Sequence, residues 1–158
     1  MNDRRIAQIR THILGEQRHR RALAGGVGGL VVIASVGFLL GSDAVVSVNW
    51  IAVALSVALV GGAAGAGIGP TSVALWFLGF WWSAFPPVVG YLTGEWEFAS
   101  RYTYPRMLDY AHSSAYGEMV GGIERGVQIG LLFTVVLGTV GYLGGFSASR
   151  LWRTWQQR

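Results

Sequence analysis

Apolar residues come in four long blocks with almost no charged position inside them. Residues 23–41 read LAGGVGGLVVIASVGFLLG, residues 50–69 WIAVALSVALVGGAAGAGIG, and residues 72–92 SVALWFLGFWWSAFPPVVGYL. The fourth block covers residues 122–146 and contains RGVQIGLLFTVVLGTVGYLGGF. A helix on a soluble protein keeps a charged face toward water, whereas a bilayer span needs about 20 residues without one. The pattern therefore predicts four transmembrane helices, each close to the length that crosses ~30 Å of hydrocarbon. Pro70 closes the second block, and only Pro70 and Thr71 separate it from the third, which predicts a tight antiparallel hairpin.

The second block ends in GGAAGAGIGP, where an apolar segment is stripped of bulk. Residues four apart on a helix share one gently winding row. Gly61, Gly65 and Gly69 form one such row, and Ala54, Ala58, Gly62 and Ala66 form the next. Gly122, Gly126, Gly130, Thr134 and Gly138 repeat the device in the fourth block, and Gly25 with Gly29 is a shorter version in the first. Lipid tails do not drive helices together by hydrophobicity, so association rests on close backbone approach, which glycine rows allow. The expected fold is an all-α polytopic integral membrane protein whose four transmembrane helices pack through these rows. The rows serve either the chain's own packing or contact with a second subunit. On the second reading, leucine at Gly126 or Gly130 disturbs assembly more than substitution of Val135 or Val136.

Charge orients the bundle. All 12 basic side chains are arginine; six lie before the first block, at Arg4, Arg5, Arg10, Arg18, Arg20 and Arg21, and Arg150, Arg153 and Arg158 follow the last. The loops on the other side carry only Arg101, Arg106 and Arg125 against six carboxylates. The positive-inside rule then puts both termini in the cytoplasm of a cell-membrane protein. A signal peptide cleaved after Ala44 is the alternative reading of the first block, but the charged region ahead of it is long for one. The organisation expected is a basic amphipathic segment over residues 1–22, a transmembrane domain over 23–146 with an outer loop at 93–121, and a basic tail over 147–158. In the first segment Ile6, Ile9, Ile13 and Leu14 make an apolar stripe among arginines, suited to an anionic inner leaflet rather than to nucleic acid. In the outer loop Thr103 or Tyr104 before Pro105 starts a short surface helix, with Met107, Leu108, Ala111 and Ala115 at helical spacing.

Candidate chemistry is sparse. The chain has no cysteine, which excludes disulfides, thiolate metal sites and cysteine nucleophiles. None of the four blocks has an ionisable residue in its middle, which argues against a proton-driven pump or a rotary ring. Glu124, Arg125 and Gln128 stand at the outer mouth of the fourth block, where they either anchor the helix end or line a vestibule. His112 with Asp109 and Glu118 matches no zinc spacing, so no metal site is expected. No nucleophile, base and orienting group can be assembled, so no catalytic residue is expected.

The third block crowds Trp76, Phe77, Phe80, Trp81, Trp82 and Phe85 at its centre. Trp81 and Trp82 point about 100° apart, so one is expected inside and the other against lipid or a flat hydrophobic ligand. Trp50, Trp96, Trp152 and Trp155 are expected at the membrane interfaces. Pro86 and Pro87 are expected to break or kink the helix and free carbonyls near residues 82 and 83, with Ser83 satisfying them in part. The function expected is a non-enzymatic structural or accessory subunit of a homo-oligomeric or larger membrane assembly. A small channel or carrier, and a module binding a quinone, pigment or lipid at the third block, are the alternatives; no cofactor is otherwise expected.

Overall fold

A computed structural model describes residues 13–42, 44, 47–95, 102 and 114–156. The fold is all-helical, and three helices are long and apolar enough to cross a membrane: Gln17–Leu39, Ile68–Thr93 and Ala115–Gln156. We label the elements α1 (Gln17–Leu39), α2 (Asn49–Ala64), α3 (Ile68–Thr93), α4 (Ala115–Leu132) and α5 (Gly138–Gln156), with a π-helical segment at Phe133–Leu137 joining the last two.

The second block forms a shorter helix than its hydropathy suggests. α2 has 16 residues, roughly 24 Å of rise, and stops at Ala64 because Gly65 adopts a left-handed conformation at φ 69°. The Ala66 amide reaches back to Gly61 O at 3.0 Å and closes the end. The turn is therefore Gly65–Gly67 rather than Pro70–Thr71. Pro70 sits in the first turn of α3, where its missing N–H costs no intrahelical bond. Gly61, Gly65 and Gly69 consequently do not share a row: the first is on α2, the second ends it and the third opens α3.

α3 is the central element. It packs most extensively on α4, and also on α1 and α2, while α5 packs on α2. Val27, Val31, Ala34 and Phe38 form the single buried strip of α1. Its order along α3 is parallel: Ser35 meets Trp81 and Phe38 meets Phe85. α2 is antiparallel to α3, with Trp50 against Trp81 and Gly61 against Thr71. α4 is antiparallel to α3 as well, so the start of α1 and the end of α5 lie at the same end of the bundle.

Three further expectations change. α3 runs unbroken through Pro86 and Pro87 to Thr93. α1 begins at Gln17, so Arg18, Arg20 and Arg21 ride on the first helix instead of on a separate segment. The last helix extends to Gln156, so no break marks a tail at residue 147. Ile6, Ile9, Arg101, Arg106, His112, Asp109 and the surface helix expected after Thr103 lie outside the described residues.

The 42-residue run from Ala115 to Gln156 rises roughly 63 Å, about twice the hydrocarbon thickness. Ser114 caps it by accepting the Gly117 amide at 3.1 Å, and Glu118 in the first turn complements the helix dipole. The π segment in its middle inserts the equivalent of one residue, turning the following face by about 100°. Before it, the helix packs on α3; after it, on α2. One long helix thereby serves two partners.

Candidate functional site

The small residues of α4 are fitted against the α3 backbone. A Cβ built on Gly122 would meet Pro87 Cγ at 2.6 Å, one on Gly126 would meet Phe80 O at 3.0 Å, and one on Gly130 would meet Trp76 O at 2.7 Å. Thr134 extends the same line, its hydroxyl lying 3.1 Å from Ser72 O and 2.9 Å from Gly130 O. Gly138 lies beyond the π segment, against Leu75 Cδ1. On the α2 side, Gly62 faces the Tyr142 backbone and Gly145 faces Leu59 O. These contacts are all within one chain.

The aromatic centre of α3 is also filled from within. Trp81 is 6% exposed, donates its indole N–H to Ser35 Oγ at 3.0 Å and stacks on Phe85 at 5.0 Å. Trp82 is 3% exposed and packs against Phe133. Neither faces lipid, because α1 and α2 cover one side of α3 while α4 and the π segment cover the other. A flat ligand here would have to displace Phe85 or Phe133. Trp50 is buried rather than interfacial, with its N–H on Leu78 O at 3.2 Å, whereas Trp152 and Trp155 are exposed. The Ser83 hydroxyl is buried and has no hydrogen-bond partner among the described residues, so it does not satisfy the carbonyls of its own helix. Pro87 has no N–H for the Ser83 carbonyl, and Gly122 closes on that oxygen.

Glu124 and Gln128 are exposed, and Arg125 is half-buried. Both exposed residues lie about 200° around α4 from Gly126, on the side away from α3.

Among the described residues, the two larger open spaces lie beside α1. Among the described residues, nothing lies within 4 Å of where a Cβ would sit at Gly25, Gly26, Gly28 or Gly29. Beside α1 on the α3 side is a groove of about 790 Å³, walled by Leu23, Val27, Val73 and Phe77 and reaching Arg20 and Arg21 at one end. On the α2 side a second groove of about 430 Å³ is walled by residues including Gly26, Val57 and Val60. Both follow from the thinness of α1: glycines that carry no side chain cannot close the space beside a helix held by one strip. The signal was in the sequence as two arginines, Arg20 and Arg21, set just before ALAGGVGG, but which side of α1 stays open depends on its partners.

No family model, no curated protein and no solved structure matches this chain.

Proposed function

We propose that the protein is a non-enzymatic, four-span subunit of a membrane assembly, with both termini in the cytoplasm of the cell membrane. α2 serves as the fourth span: it is wholly apolar, and a helix a few ångströms short is accommodated by local bilayer thinning at modest cost. The arginines at the start of α1 and at Arg150 share one end of the bundle, which agrees with a basic cytoplasmic face.

The observation that carries the assembly reading is the bare Gly25–Gly29 row. On α4 every glycine of the row is covered by the chain's own α3, whereas on α1 the equivalent row is covered by none of the described residues. Exposed valine and leucine are satisfied by lipid tails. A glycine pair four residues apart instead leaves a notch that a second helix fills better than a disordered chain does. The partner is a further copy of this chain or another membrane subunit.

Native mass spectrometry in mild detergent tests this directly. The wild type is expected to carry a second subunit, and the Gly25→Leu, Gly29→Leu double variant to lose it while its helix content by circular dichroism is unchanged, because both sites have room for a side chain among the described residues. A wild-type spectrum of single chains alone, or an assembly untouched by the double variant, would refute the proposal.

A further inference from the structure

The groove between α1 and α3 joins two features that suit one kind of ligand. Its walls are almost wholly apolar, and its end is marked by Arg20 and Arg21. Among the described residues, neither arginine is in an ion pair; Glu16 Oε2 instead lies 3.4 Å from His19 Nδ1. Val73 and Phe77 are exposed on its outer lip, so the groove opens sideways, toward where hydrocarbon lies if the helices span a bilayer. From Arg20 to Gly28 the helix rises roughly 12 Å, close to the ~15 Å depth of one leaflet.

We infer that this groove holds an anionic phospholipid of the cytoplasmic leaflet. One acyl chain lies along Leu23, Val27 and Phe77, and the phosphate sits at Arg20 and Arg21. A zwitterionic lipid offers the same chain but no net charge, so the arginine pair selects for the anion; each arginine near an anionic surface adds a comparable increment of attraction. Guanidinium groups also meet phosphate oxygens in bidentate fashion, which a diffuse surface attraction does not require. The inference rests on the membrane reading of the proposed function but not on its assembly step, because the groove and the Gly25–Gly29 row are on different flanks of α1.

The test is lipid retention on the full-length protein, measured by native mass spectrometry after titration with phosphatidylglycerol or phosphatidylcholine of matched chains. Wild type is expected to hold one phosphatidylglycerol per chain, and the Arg20→Gln, Arg21→Gln double variant to bind it weaker by on the order of tenfold. Gly28→Leu provides a second variant: it puts bulk into the groove where none of the described residues lies within 4 Å, so helix content by circular dichroism should hold while lipid retention falls. Equal retention of the two lipids, or phosphatidylglycerol binding unaffected by either variant, overturns the inference. An alkaline carbonate wash of membranes from expressing cells separates the two levels. Release of the protein sinks the membrane reading and this inference with it; retention in the pellet with lipid-blind binding sinks the inference alone.

Discussion

Gly79 of α3 and Gly130 of α4 lie face to face: a Cβ on Gly79 would come within 2.9 Å of Gly130 Cα, and one on Gly130 within 2.7 Å of Trp76 O. Two antiparallel backbones thus meet with no side chain between them. Such close approach of backbones is what small residues at a helix interface permit. With Gly122, Gly126 and Thr134 on the same line, this seam ties the long final helix to the centre of the molecule.

Leucine at Gly126 or Gly130 is therefore expected to disrupt the folded chain itself, not only its assembly. The neighbours are backbone oxygens at Phe80 and Trp76, which can move only if the helices separate. Overpacking of this kind costs about 1–3 kcal/mol or more, while leucine at the exposed Val135 or Val136 should stay within about 0.5 kcal/mol. Thermal unfolding in detergent checks this, and equal midpoints for the two sets of variants would contradict the seam.

Ser83 is 2% exposed and its hydroxyl bonds to none of the described residues. A buried polar atom in that state carries a desolvation penalty of about 1–3 kcal/mol, so Ser83→Ala is expected to stabilise the protein, by roughly 1 kcal/mol. The measurement is the shift in unfolding midpoint. A clear destabilisation would mean that the hydroxyl binds something in the membrane-embedded protein and would redirect attention to that site.

Gly67 and Gly15 form a second backbone contact, at the arginine-bearing end. Gly67 has φ 94° and Gly15 φ 64°, and a Cβ on Gly67 would lie 2.5 Å from Gly15 N. Gly67→Ala meets both the steric barrier to positive φ and that neighbour, at about 1–3 kcal/mol. Its expected signature is faster proteolysis between Ile13 and Gln17 with the helices otherwise intact, followed by mass spectrometry of the fragments. Unchanged cleavage at those sites would show that the contact does not hold the segment down.

How much of this was legible beforehand differs from element to element. The long runs without charge specified helices at membrane length, because a backbone that cannot reach water must satisfy its own hydrogen bonds. They overstated the second helix, since hydropathy does not register that Gly65 and Gly67 take positive φ. They also misplaced Trp81 and Trp82: adjacent positions on a helix differ in direction, but only the neighbours decide whether each direction leads to lipid. Here both lead inward, because α3 is covered on two sides.

The amino-acid sequence by itself determined an all-helical chain built from apolar segments, with small residues spaced for close approach and arginines gathered toward the ends. Periodicity and composition are local properties, and they need no partner to be read. Only the tertiary structure decided which glycines are consumed. The rows of α2 and α4 are filled by α5 and α3, a π segment in the last helix redirects its face from one partner to the other, and the row on α1 is met by none of the described residues. That outcome depends on where each backbone finally lies. A glycine records only that something can come close, and the fold determines whether anything does.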